Sequence, residues 1–474
     1  MKRASGVLMH LSSLWGDYSI GSFGKSCKRW IDFLSESGFS YWQTLPFCMP
    51  DEYNSPYKSY SAFSGNPYFI DLEILNKQGL ITDEELLSAK QKSPYLCEFD
   101  RLRQDRLNLL KKASWRFKNV DAINNFYKTH PKTLEFCKFM ALKEANNYTE
   151  WQAFTVFDIP KKEYYEWQFI EYEFFIQWAE IKNYANKKGV KIIGDIPIYV
   201  DADSADVWAN PTEFQLDKNN KPKLVAGVPP DYFSEDGQVW GNPLYDYKAM
   251  KSNGFKWWKD RVSFYLELFD GVRIDHFRGF ESYFTIPYGS KTAKNGKWVK
   301  GPGMALINEI KKVAGDKLII AEDLGEITPA VRKLVDKSGF PGMRVLQFGF
   351  LGENSTHLPH NYDNNSVAYT GTHDNNTLLG YVWELDNDTR TKLLNYFDYQ
   401  GDWNNCYDHL IRAMFRSHAG LVIFPVQDLL KYGADTRLNT PGSADKNWAY
   451  RITESQFESL NASYFRSLYS LYNR

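Results

Sequence analysis

The chain alternates between two hydrophobic rhythms. Short, almost wholly apolar runs are separated by longer segments whose apolar positions recur every three or four residues. Lys317-Leu318-Ile319-Ile320-Ala321 is of the first kind, an apolar stretch that ends on an acid, as expected of a parallel strand covered on both faces. After it, Thr328 reads as a helix N-cap with Pro329 at the first helical position, and Gly339 suits the far end. A strand over Met343–Gly349 then completes one βα unit. Upstream, Leu306, Ile307, Ile310 and Val313 trace one helical face that stops at Gly315, and an amphipathic segment over Phe255–Leu268 feeds a strand over Phe269–Asp275. The same reading predicts strands at Val7–Leu11, Tyr41–Pro46, Val190–Ile196, Val367–Thr370 and Leu421–Val426.

Eight strands separated mostly by helical patterns predict an α/β fold, a (β/α)8 TIM barrel, occupying 1–474 as a single catalytic unit. The spacing is uneven. The interval between the second and third strands calls for a mainly helical insertion over about 68–180, with a capping box at Thr82 and Glu85, while about 201–254 and 281–303 read as loop insertions around the active site. The aromatic series Trp151, Phe154, Phe157, Tyr164, Tyr165, Trp167, Phe169, Tyr172, Phe174, Phe175 and Trp178 is expected to pack buried helices within the first of these.

Charge narrows the function. Lys and Arg number 57 against 58 Asp and Glu, a net charge of −1 without single-sign blocks, which argues against nucleic-acid or anionic-membrane partners. The apolar stretch ending at His10 is too short for a signal peptide or spanning helix, so the expectation is a cytoplasmic protein. Cys27, Cys48, Cys97, Cys137 and Cys406 are dispersed, without CxxC or Cys/His spacing, and read as reduced structural thiols. Gly24-Lys25-Ser26 lacks the leading glycine of a phosphate loop. Asp201, Asp203 and Asp206 miss calcium-loop spacing, and no HExxH occurs; no metal or organic cofactor is expected.

The chemistry concentrates at strand ends. Asp275, Glu322 and Asp374 each close an apolar run, and only a fold that gathers strand termini brings them together. In Gly271-Val272-Arg273-Ile274-Asp275, alternation places Arg273 and Asp275 on one face; they either point into the barrel near its rim as working groups or form a buried ion pair that closes the barrel end. Aromatic residues make up 16% of the chain, and although most serve packing, flat rings with polar edges also suit sugar faces.

The motifs Arg273-Ile274-Asp275-His276, Ala321-Glu322-Asp323-Leu324-Gly325 and His373-Asp374 resemble the three-acid signature of the α-amylase clan. With Ser55-Pro56-Tyr57, Gly65-Asn66-Pro67, Gly194 to Val200, Asp203 to Trp208, Gly227 to Phe233, Gln238 to Tyr245, Gly301-Pro302-Gly303 and Pro441-Gly442-Ser443, the chain is similar over nearly its whole length to the 4-α-glucanotransferases of glycoside hydrolase family 77. The resemblance implies Asp275 as nucleophile, Glu322 as general acid/base and Asp374 as transition-state stabiliser. It implies sugar contacts from His276 and His373, and from Tyr57, Asp231 and Trp240 in loops around the subsites. Tyr57 and Trp240 can equally pack those loops against the barrel. Asp195, which also ends an apolar strand, is read as supporting Arg273 more than touching substrate. The implied reaction is retaining transfer of an α-1,4-glucan segment from a maltooligosaccharide donor to the 4-hydroxyl of glucose or another glucan. A hydrolytic α-amylase-like enzyme and a non-catalytic glucan-binding protein are the alternatives.

Overall fold

The computed structural model describes residues 1–230, 235–352, 355–443 and 446–474. Its strands in chain order are β1 (Ala4–Leu8), β2 (Tyr41–Gln43), β3 (Lys191–Ile196), β4 (Leu224–Val228), β5 (Gln238–Pro243), β6 (Gly271–Ile274), β7 (Ser282–Pro287), β8 (Lys297–Lys300), β9 (Leu318–Ala321), β10 (Gly342–Val345), β11 (Ser366–Tyr369) and β12 (Leu421–Pro425). Eight of them close a parallel barrel in the order β1-β12-β11-β10-β9-β6-β3-β2, and helices on the outside make it a (β/α)8 fold. Strands covered on both faces must be apolar throughout. β11 and β12 are indeed fully buried along their length.

The helix signals act where the sequence places them. Thr328 Oγ1 accepts from Val331 N at the head of the helix Pro329–Ser338, and Gly339 ends it with φ 74°, a left-handed conformation that glycine adopts without a steric penalty. Thr82 and Glu85 form both halves of a capping box. Two strands are displaced from expectation. The first starts at Ala4 rather than Val7, because all five of its residues pair with β12, from Ala4 opposite Leu421 to Leu8 opposite Pro425, and Leu11–Ser13 forms a 3-10 turn. The one expected over Met343–Gly349 stops at Val345, where pairing with β11 ends, and Leu346–Phe350 coils into a 3-10 turn.

Between β2 and β3 the chain is helical, dominated by the 27-residue helix Lys161–Lys187, which buries Trp167, Phe169, Phe174 and Trp178. Phe157 departs from the expected burial and is 74% exposed. The segments read as two loop insertions instead supply two strands each to one antiparallel sheet of order β5-β4-β7-β8. Its strands escape a periodicity reading because they carry glycine, asparagine and proline, and one is exposed at every residue. Gly227 in β4 is required: a Cβ there would lie 2.1 Å from the Gln238 carbonyl oxygen of the adjoining strand. All five cysteines are buried and unpaired. No helix among the described residues is long and apolar enough to cross a membrane.

Candidate active site

Strand register assembles the site. Asp195 on β3 pairs with Arg273 on β6, and Ile274 on β6 pairs with Ala321 on β9. The next residue along β6 is Asp275 and the next along β9 is Glu322, so the two acids leave adjacent strands at the same level. Neighbouring strands lie about 4.8 Å apart.

Arg273 sits between two acids. Its Nη1 donates to Asp195 Oδ2 at 2.5 Å and its Nη2 to Asp275 Oδ1 at 2.7 Å. The Tyr57 hydroxyl donates to the same Asp195 oxygen at 2.8 Å. Arg273 and Asp195 have side chains only 5% and 0% exposed, whereas Asp275 is 29% exposed and opens to the cleft. A buried guanidinium is tolerated here because it is paired on both sides. Burial pushes the Asp195 carboxyl up, against the pull of Arg273.

His276 follows Asp275 in a left-handed conformation, φ 47°, uncommon for a residue with a side chain. The turn aims its backbone N–H at Glu322 Oε2, 2.6 Å away, while Leu324 N donates to Oε1 at 2.8 Å. Burial, reinforced by the nearby Asp275 charge, nevertheless raises the Glu322 carboxyl to about 7, outweighing Arg273 and the two amide donors. A carboxyl there is close to evenly divided between acid and base at neutral pH, a state from which a group can either give or take a proton. The His276 ring, pushed down to about 4 by burial, is neutral, and its Nε2 has no hydrogen-bond partner among the described residues.

Asp374 is held differently. Burial would raise its carboxyl, but His373, Asn439 and Arg273 together hold it at about 2. His373 Nε2 lies 3.2 Å from Oδ2, and Asn439 Nδ2 donates to Oδ1 at 2.6 Å. Arg437 Nη2 donates to the Asp374 carbonyl and Asn439 N to the His373 carbonyl, so the 437–439 segment clasps this acid at side chain and backbone. Sequence reasoning missed Asn439 and Arg437. Their motif carries no acid and lies far along the chain, and the contact comes from the loop after β12 folding across the barrel mouth. Trp448 was missed too; its ring lies 5.8 Å from both Tyr57 and His373, which stack on each other at 5.2 Å.

The cleft encloses about 690 Å³, a size that suits an oligosaccharide segment. Tyr57, Trp240, Asp275, His373, Asp374, Asn439 and Trp448 are among the residues lining it. Trp240 meets the His276 ring edge to face at 4.9 Å. Asp231 lies outside the described residues.

Residues 9–456 match the family model described as 4-alpha-glucanotransferase. The chain is similar to the 4-alpha-glucanotransferase of Clostridium butyricum, at 42% identity over 98% of this chain and 100% of that protein. It is similar to that of Streptococcus pneumoniae, at 42% identity over 100% and 98%. Among solved structures, amylomaltase from Streptococcus agalactiae in complex with acarbose superposes with a TM-score of 0.96 at 35% identity over the full length of both chains. Amylomaltase from Corynebacterium glutamicum shares the fold at a TM-score of 0.80 and 18% identity, over 98% of this chain and 75% of that one.

Proposed function

This chain belongs to glycoside hydrolase family 77, the 4-alpha-glucanotransferases, and on that premise we propose that it moves α-1,4-glucan segments by a retaining mechanism through a covalent intermediate on Asp275. The observation that carries the proposal is the pair of acids on adjacent strands, one bonded to Arg273 and open to the cleft, the other raised to about 7. Retention needs two carboxyl groups about 5 Å apart in opposite protonation states. Adjacent strands about 4.8 Å apart are compatible with that separation.

With Oδ1 occupied by Arg273, the second oxygen of Asp275 attacks the anomeric carbon of the donor. The bond to the departing glucan breaks as Glu322 gives its proton to the glycosidic oxygen, which leaves as a 4-hydroxyl. An acceptor 4-hydroxyl then attacks the same carbon, loses its proton to Glu322 and releases Asp275. Asp374, kept anionic and fixed by Asn439 and His373, bonds sugar hydroxyls more strongly as the ring flattens towards the oxocarbenium ion. The neutral His276 ring offers Nε2 to the same sugar, and Tyr57 supports the Asp195–Arg273 pair from the cleft wall. Asp195 thereby works through Arg273. Trp240 offers an aromatic surface beside His276. The donor is a maltooligosaccharide, and the acceptor glucose or another glucan.

Incubation with maltotriose tests this. Glucose plus a ladder of longer oligomers, without a net rise in reducing ends, is expected; shortened products with a stoichiometric rise would favour the hydrolytic alternative. Peptide mapping by mass spectrometry of enzyme quenched in acid during turnover of maltotriosyl fluoride should find a glucan on the peptide bearing Asp275. Asp275→Asn should lose both signals while remaining folded.

A further inference from the structure

The small sheet brings a tryptophan from each of its outer strands to the segment that follows β6. Trp240 on β5 meets His276, and Trp298 on β8 lies over Arg278, with the guanidinium carbon 4.0 Å from the ring centroid. Arg278 is 7% exposed, and its Nη1 donates to the Glu326 carbonyl at 2.6 Å, in the loop that leaves Glu322. It is close enough to Glu322 and Glu326 for both to act on its charge. The guanidinium is thus pinned between the general-acid loop and one face of the indole.

Trp298 is nonetheless 38% exposed, on a strand exposed at every residue, and the Phe284 ring meets it edge-on at 5.2 Å. Leaving that much indole in water forfeits hydrophobic stabilisation that deeper packing would supply. A flat ring backed by a buried guanidinium and left this exposed has a use for it: the apolar face of a glucose unit.

We propose that Trp298 is an acceptor-side subsite residue that stacks on a glucose unit of the incoming glucan beyond the one that receives the transferred segment. The inference rests on the transferase mechanism above. Glu322 protonates the leaving oxygen and deprotonates the acceptor, so the acceptor lies on its side. From there, His276 with Trp240 and Arg278 with Trp298 lead outward along one short segment. The tie from Arg278 to Glu326 holds the outer ring in register with the acid loop.

The test is competition for one shared intermediate. Enzyme supplied with maltotriosyl fluoride is given isotopically labelled glucose and maltotetraose together, and the ratio of the two transfer products is read by mass spectrometry. This ratio reports acceptor selectivity whatever happens to the donor step. Trp298→Leu keeps apolar packing on Arg278 but removes the flat face, and should shift the ratio towards glucose by about tenfold, the order of one lost aromatic stack. Trp298→Phe should retain most of the wild-type preference. An unchanged ratio in Trp298→Leu, even with a lower total rate, or an equal shift in the Leu and Phe variants, overturns the proposal. Failure of the transferase reading would show separately, as absence of transfer products from the unsubstituted enzyme.

Discussion

Asn439→Ala removes the only side-chain amide that holds the proposed transition-state stabiliser among the described residues, and its consequence can be worked from the geometry. A hydrogen bond to a charged group contributes about 1.5–3 kcal/mol, but the Asp374 side chain is 43% exposed, so water replaces part of what is lost and about 1–1.5 kcal/mol is the relevant range. At 1.36 kcal/mol per pKa unit, the carboxyl would rise from about 2 to about 3 and stay ionised at pH 7. The loss is therefore one of orientation: kcat on maltotriose should fall about tenfold with KM changed much less. Asn439→Asp sharpens the test, because it puts a second carboxyl within hydrogen-bond distance of the first. At pH 7 both are ionised and repel, so this variant should be slower than Asn439→Ala. Towards pH 5 one of the pair takes up a proton and donates to the other, so Asn439→Asp should recover and overtake it. Steady-state kinetics from pH 4.5 to 8 measure both curves. Asn439→Ala retaining kcat within about twofold of wild type, or the two variants following the same pH curve, would refute the reasoning.

Two further expectations rest on buried acids. As the proposed general acid, Glu322 serves departure of the leaving group only while protonated, so kcat/KM for maltotriose should fall on the alkaline side with an apparent pKa of about 7. Glu322→Gln should abolish turnover of maltotriose while retaining the first step with a glycosyl fluoride, whose leaving group needs no proton; a variant that still turns over maltotriose with the same alkaline limb counts against the assignment. Glu171 is fully buried on the helix Lys161–Lys187, accepts from Gly65 N through Oε2 at 2.8 Å, and has its carboxyl pushed well above the usual range by burial. A raised acid means the folded state binds more protons than the unfolded one once the pH passes the unfolded value of about 4.3, so stability falls as pH rises from there through the folded pKa. Glu171→Gln, neutral at every pH, should melt above wild type by a margin that widens between pH 5 and 8, and a margin independent of pH in differential scanning calorimetry would show that Glu171 is not the source.

The part of this protein written into its sequence is the part governed by short-range rules. A strand buried on both faces must be apolar along its length, so all eight barrel strands left a mark, as did the Thr328, Pro329 and Gly339 signals around one helix. Strand alternation put Arg273 and Asp275 on one face, and the structure has Arg273 bonded to Asp275. Asp275, Glu322 and Asp374 each close an apolar run, and the resemblance to family 77 implies the role of each.

What local pattern could not carry was decided by contacts between distant segments. The antiparallel sheet draws strands from two separate insertions, held by close approaches such as Gly227 against Gln238, so its strands need no apolar period of their own. Asn439 and Arg437 reach Asp374 only because the loop after β12 crosses the barrel mouth, and an asparagine in a polar loop gives no hint of its partner. The proton affinity of Glu322 comes from burial and from Asp275 on the adjoining strand, neither of which exists until the barrel closes. Hydrophobic period is a property of neighbours in sequence, whereas a field at a carboxylate is a property of neighbours in space.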